Sequence, residues 1–427
     1  MSERDCNKQV ERRQKISKST LIVGMDIGSE FNAVALMNEA GEILGRYPKV
    51  YNSREGFEYF KKGIEQAKKK AGLKEVFIGM EPTGHYWRKI AYYAKEQKYE
   101  VRFIRTTALR HQRELDESSS AKTDMRDAVT IANIVREGKY IDTVIEDGVF
   151  RQLRMLAHVR ENIQRYNVGT KHRLSAVLDD YFPELQRIFW SMKAKGLWAV
   201  LEECPFPEDV LNRTVEEIGE LIGQSSRRKG NAVKKAKEVY EGARESIGLR
   251  DVSEADRYRL RTCLEEIKRC EGQLKEVEGQ MKGLLKQIPA AEILMSIRGV
   301  GLITTAVFLG ELGDPKNFND AKQIVKYAGY DPQGDDSGKS VGRKRISKKG
   351  RWLFRKYLYF MGMRVIYRNT FFRKYYERKL KKQNRWGQLL KKKEALCAVV
   401  IKLIKVIFAL LRDNRKFTTA QPVAVAV

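Results

Sequence analysis

The sequence is short of the residues that bind zinc or cross-link a fold. Only five cysteines and four histidines occur among 427 residues. Cys6, Cys204, Cys263, Cys270 and Cys397 form no C-x-x-C pair, and the histidines do not cluster, so neither a zinc site nor a disulfide framework is supported. A reducing cytoplasm fits that usage. Long apolar runs are also missing. The most apolar late stretch, 395–411, is interrupted by Lys402 and Lys405 and reads as an amphipathic helix, with no membrane span expected. Residues 1–20 are polar and basic with no apolar segment, which argues against a secretory signal.

Negative charge is the largest shortage. Asp and Glu number 55 against 83 Lys and Arg, a formal net charge of +28. Self-repulsion of that size is best relieved by a polyanion, so nucleic acid is the expected partner. An anionic membrane surface is the weaker reading, because the basic residues are spread among aromatics and glycines and form no juxtamembrane cluster.

Against that scarcity, a few acids stand in informative places. The apolar run Leu21-Ile22-Val23-Gly24-Met25-Asp26-Ile27-Gly28 delivers a carboxylate to the end of a strand, which is costly unless the charge is paired or binds a cation. Val76-Phe77-Ile78-Gly79-Met80 is a second buried strand and ends on Glu81. In Lys122-Thr123-Asp124-Met125-Arg126-Asp127-Ala128 two acids three apart share a helix face and repel each other. Taken alone, such a pair is ordinarily a solvated face. Together the four acids suit divalent cations that activate a nucleophile and stabilise a leaving oxygen in phosphoryl transfer. Oxygen-only ligation favours magnesium or manganese over zinc.

The pattern predicts a meander of strands over 21–27, 32–37 and 43–51, with a turn at Asn38-Glu39-Ala40-Gly41. A helix capped by Ser53 and stopped by Gly72 follows, then strand 76–80, helix 86–97, strand 100–104 and helix 123–136. That order is the one of a ribonuclease-H-like α/β domain. Beyond Gly148 the composition turns helical and charged, with Pro183, Pro205 and Pro207 as breaks and 224–237 as a polar loop or weak helix. Leu260, Cys263, Ile267, Cys270, Leu274, Val277, Met281, Leu284 and Ile288 alternate spacings of three and four, a heptad seam that joins protomers or folds back within one chain. Its cysteines read as small apolar seam residues.

After Pro289, the Gly299-Val300-Gly301 turn opens an apolar helix and resembles a helix-hairpin-helix module, whose backbone N–H groups bind phosphate; a turn kept for packing is the rival reading. The polar, glycine-rich stretch 329–350 carries Lys339, Arg343, Lys344, Arg345, Lys348 and Lys349, with Arg351 just after it, suited to phosphate contacts independent of sequence. Ser337 and Ser340 lie amid that charge with no histidine nearby, and the residues do not choose between them as a nucleophile. In 352–379 aromatics interleave with Arg and Lys; Phe354, Tyr357, Phe360 and Arg364 fall on adjoining helical turns, as core, as a base-stacking stripe, or as both on opposite faces.

These motifs, in this order, resemble the DEDD transposases of insertion sequences related to the Piv DNA invertases, the family numbered one-ten, which includes bridge-RNA-guided recombinases. The likeness runs from Gly24-Met25-Asp26-Ile27-Gly28 through Glu81-Pro82-Thr83-Gly84-His85-Tyr86, the Asp124/Asp127 segment and the glycine turn. It continues through Tyr327-Ala328-Gly329, Ser337-Gly338 and Ile346-Ser347-Lys348-Lys349-Gly350. The resemblance implies a RuvC-like domain whose Asp26, Glu81, Asp124 and Asp127 hold magnesium, and a C-terminal transposase domain whose Ser337 attacks a DNA phosphodiester to form a phosphoserine link. It further implies sites shared between protomers of a dimer or tetramer, and a structured noncoding RNA that pairs with target and donor DNA.

The domains expected are a flexible basic arm (1–20), a RuvC-like domain (21–149) and a helical, coiled-coil middle (150–289). A mostly helical transposase domain (290–412) and a flexible tail (413–427) complete the chain. The long helical middle, about 178–251, and the arm depart from compact members of that family and read as surface insertions. A prokaryotic, nucleoid-associated enzyme is expected. The rivals are a RuvC-like nuclease or junction resolvase with water as nucleophile, and a non-catalytic nucleic-acid scaffold with degenerate acids.

Overall fold

The computed structural model describes residues 3–82, 84–115, 123–141, 145–225, 231–333, 336–337, 340–341, 345–383 and 387–418. The chain divides into two compact units, 1–145 and 146–427.

The first unit begins with α1 (Glu3–Gln14) and continues through β1 (Thr20–Ile27), β2 (Phe31–Met37) and β3 (Ile43–Tyr51). Then come α2 (Arg54–Ala71), β4 (Glu75–Met80), α3 (Trp87–Glu96), β5 (Glu100–Phe103), α4 (Thr106–Leu115) and α5 (Asp124–Arg136). The sheet order is β3-β2-β1-β4-β5, with β2 antiparallel to both neighbours and β4 and β5 parallel to β1. This is the strand order expected of a ribonuclease-H-like domain. The predicted caps are present: Ser53 Oγ accepts from Gly56 N at 3.1 Å, and Gly72 takes the left-handed conformation that ends α2. One sheet face is filled by Val23, Val34, Phe60, Ile64, Ile78 and Ile90, the other by Ile22, Phe77, Ile131 and Val135. Apolar residues on both faces explain why β1 and β4 read as continuous apolar runs.

The expected flexible arm is a correction: most of it is α1, and it is docked. Gln9 donates to Glu137 O at 3.0 Å, Tyr140 Oη donates to Arg12 O at 3.0 Å, and Ile16 is buried. A basic stretch reads as solvated from charge alone, yet one side-chain donor, one backbone acceptor and one apolar residue hold it down.

The second unit opens with the 34-residue α6 (Gly148–Tyr181). The helices α7 (Glu184–Phe189), α8 (Lys195–Glu203), α9 (Pro207–Leu211), α10 (Val215–Ser225) and α11 (Ala232–Arg244) follow, and α12 (Glu254–Leu285) runs back along α6. The apolar seam of α12 thus folds back within one chain. Leu260, Cys263 and Ile267 share a core with Leu174, Val177 and Leu178 of α6, and Val277 and Met281 share another with Leu153 and Ala157. Ion pairs Arg160–Glu278 at 2.6 Å and Arg173–Glu266 at 3.0 Å flank the contact. The shorter helices α7 to α11 close over the far end of this pair around Phe182, Phe206 and Val239.

Next come α13 (Pro289–Met295), α14 (Leu302–Leu312), a 3-10 turn at Pro315–Asn317 and α15 (Ala321–Ala328). The short strands are β6 (Pro332–Gln333), β7 (Asp336–Ser337), β8 (Ser340–Val341) and β9 (Arg345–Ile346); the helices α16 (Trp352–Arg368), α17 (Thr370–Leu380) and α18 (Lys392–Arg412) complete the unit. Leu353, Phe354, Tyr357 and Met361 of α16 are core, whereas Trp352, Phe360 and Tyr367 are exposed. The expected flexible tail is corrected in part: Phe417 N donates to Ser296 Oγ at 2.8 Å and its ring stacks on Phe372. Residues 419–427 lie outside the described residues. Among the described residues, no helix is long and apolar enough to cross a membrane.

Candidate active site

Two glycines decide where the acids stand. Gly24 pairs with Gly79 and Met25 with Met80 in the parallel register of β1 and β4, so Asp26 and Glu81 are the next residues along two adjacent strands. Alternation puts each acid on the same face as the glycine two residues earlier. Onto that face packs α5, close enough that a Cβ at Gly24 would come within 2.0 Å of Ala128 O, and one at Gly79 within 2.2 Å of Val135 Cγ2. On a helix Asp124 lies one turn before Ala128, and Asp127 two turns before Val135, so the two contacts carry the helical acids to the strand-end acids.

The four predicted acids line one cavity of about 550 Å3, together with Ser29, Glu30 and two arginines of α4, Arg110 and Arg113. Asp26 is half-buried, Asp127 is buried, Glu81 is half-buried and Asp124 is exposed at the rim. Burial, reinforced by the charges of Asp127, Asp124 and Glu81, pushes the Asp26 carboxyl up to about 6, and Arg113 offsets this only in part. Mutual repulsion of that kind is relieved by a cation.

Sequence reasoning missed α4, and with it the cation already present. Arg113 donates to Asp127 through Nε at 2.6 Å and Nη2 at 2.5 Å, a fork-to-fork pair. The sequence carries only a faint trace of it, two arginines three apart after Thr106-Thr107. Among the described residues no three Asp, Glu, His or Cys side chains close on one point tightly enough to hold an ion as they stand. The all-oxygen donor set and the raised Asp26 carboxyl fit a hard divalent cation.

In the second unit the predicted nucleic-acid residues divide. Ser337 lies on β7, paired in register with Ser340 on β8. Lys339, Arg343 and Lys344 lie outside the described residues. Arg345, Lys348 and Lys349 are exposed. Arg351 is a correction: it turns inward, donating to Glu311 O at 2.8 Å and covering the Tyr327 ring at 4.8 Å. The glycine turn favours packing. Gly299 has φ +108°, and a Cβ there would lie 3.0 Å from Arg364 O, while the Gly301 N–H already donates to Thr304 Oγ1 at 3.0 Å.

Family models match both units. The IS110 DEDD model, described as a transposase, matches residues 23–183, and the model described as transposase IS116/IS110/IS902 family matches 291–377. The chain belongs to the IS116/IS110/IS902 family of transposases. Its relatives include the insertion element IS116 protein of Streptomyces clavuligerus, 27% identical over 71% of this chain and 74% of that one. The insertion element IS110 protein of Streptomyces coelicolor is 23% identical over the same shares. The pilin gene-inverting protein of Moraxella bovis is 30% identical over 129 residues, 30% of this chain and 38% of that one. The first family model begins within the strand that bears Asp26, and the residues it matches include all four acids.

Proposed function

We propose that this IS110-family transposase cuts and rejoins DNA by a metal-dependent, serine-based phosphoryl transfer. The observation that carries the reading is the convergence of Asp26, Glu81, Asp124 and Asp127 on one cavity, with Asp26 driven up by burial and its acidic neighbours. A bound magnesium or manganese ion would neutralise developing charge on the phosphate and lower the pKa of the attacking oxygen. Asp26, Glu81, Asp124 and Asp127 would hold it through oxygen alone. Ser337 is the nucleophile: its Oγ forms a bond to phosphorus, the P–O bond to the departing nucleoside breaks, and the hydroxyl proton passes to a carboxylate of the acid cluster. Exchange of one phosphoester for another conserves bond energy, so rejoining needs no energy source. The acids and the serine come from different protomers of a dimer or tetramer.

Arg345, Lys348 and Lys349, with Lys339, Arg343 and Lys344, supply contacts to phosphate that position the DNA. The excess of 28 positive charges also suits a structured noncoding guide RNA beside the DNA. Such an enzyme works in the cytoplasm at the nucleoid.

The test is covalent trapping. Incubated with magnesium and element-end DNA, the wild-type chain should form a protein–DNA adduct that resists denaturant, and Ser337→Ala should form none while binding DNA unchanged. Hydrolysed ends that persist in Ser337→Ala would assign the cavity to a nuclease using water instead.

A further inference from the structure

Asp127 is the most buried of the four acids, its side chain 4% exposed, and it is already taken. Both of its oxygens accept from Arg113, whose own side chain is 37% exposed and sits on the cavity wall. A planar guanidinium set against a carboxylate uses the same in-plane lone pairs that a metal ion would take. Two cations at one carboxylate edge repel strongly in a site half-closed to water. We infer that Arg113 is a resident counter-ion which a divalent cation displaces, so that metal loading and release of α4's arginine from Asp127 are a single exchange. This rests on the metal reading of the cavity.

The helix α4 offers the displaced side chain a second place. Arg110 stands three residues earlier and lines the same cavity, so both arginines border the space a phosphodiester would enter. Released from Asp127, Arg113 joins Arg110 as a phosphate contact. The same residue therefore masks an acid before loading and faces the nucleic acid after it.

The full-length chain is titrated with Mn2+ alone, following the free-ion electron paramagnetic resonance signal, for wild type, Arg113→Gln, Arg110→Gln and Asp127→Asn. Removing the competing fork should tighten Mn2+ binding in Arg113→Gln about tenfold or more. Arg110→Gln, which removes an equal charge without freeing Asp127, should change it no more than about threefold. Arg113→Lys, which keeps the charge but loses the fork, should fall between wild type and Arg113→Gln, and it serves as the test if Arg113→Gln fails to fold. Equal effects of Arg113→Gln and Arg110→Gln, or of Arg113→Lys and wild type, would overturn the exchange while Mn2+ binding that is lost in Asp127→Asn keeps the metal reading intact. Absence of saturable binding in wild type and Arg113→Gln alike would overturn both.

Discussion

Both units draw acids inward, and they treat them in opposite ways. In the second, Glu311 is 1% exposed, hydrogen-bonded to His158 Nε2 at 2.8 Å and flanked by the cations Arg154 and Arg351, each at 3.8 Å. Burial alone would push its carboxyl up, but the His158 hydrogen bond and the two arginines reverse that and hold it below the ordinary range. Glu161, also buried, accepts from Lys356. In the first unit the cavity gathers the four predicted acids and the exposed Glu30, and burial with the charges of Asp127, Asp124 and Glu81 holds Asp26 near 6. Glu311 and Glu161 find their partners within the fold, whereas the cavity acids are crowded against each other. Arg113 on Asp127 lies between these cases, a cation supplied in part.

The contrast breaks most visibly at Glu311. Glu311→Gln leaves His158, Arg154 and Arg351 facing a neutral amide, and should cost roughly 2–3 kcal/mol of unfolding free energy once the partial exposure of the arginines is allowed for. Denaturant melts at neutral pH measure it, and an unchanged midpoint would remove the structural reading of this acid. The next effect tests how the cavity is built. Gly24→Ala forces a methyl against Ala128 O, so α5 must shift. The expected cost is roughly 1–3 kcal/mol. Mn2+ affinity should fall with it, because Asp124 and Asp127 move away from Asp26.

The third effect is opposite in sign and smaller. Asp26 has a folded pKa near 6, above its unfolded value, so its contribution to stability falls as pH rises from about 4 through about 6 and stays low above that. The shift corresponds to at most about 3 kcal/mol, and to roughly 1–2 kcal/mol after solvent screening of a half-buried group. Without divalent metal, Asp26→Asn should match wild type near pH 4 and exceed it by that amount at pH 7. The acid whose loss stabilises is then the one at the cavity, and the acid whose loss destabilises is Glu311.

The strand-end acids were legible in the sequence because a buried apolar run that closes on a carboxylate is costly without a cation to share the charge, and the repeated Gly-Met-acid pattern marks both strands. Their register partnership was not, since pairing between strands 55 residues apart leaves no local trace. The helical acids were legible as a spacing, but their inward direction depends on Gly24 and Gly79 admitting α5. Charge counting failed at Arg351 and α1 for one reason: composition gives the sign of a side chain and not the partner it finds. At Gly299 a close backbone approach and a phosphate-binding turn demand the same residue, and only the proximity of α16 separates them. The segment bearing Arg113 escaped notice because, among its described side chains, Leu109 alone is buried, too weak a periodicity to read.

The claim that the four acids await an external cation is tested most directly by thermal melts of wild type and Asp26→Asn at pH 7, each with and without millimolar Mg2+. Wild type should begin lower than Asp26→Asn and climb several degrees on adding the ion, while the variant stays where it began. A wild-type melt that magnesium leaves in place, or an Asp26→Asn chain that unfolds earlier than wild type without metal, would contradict it.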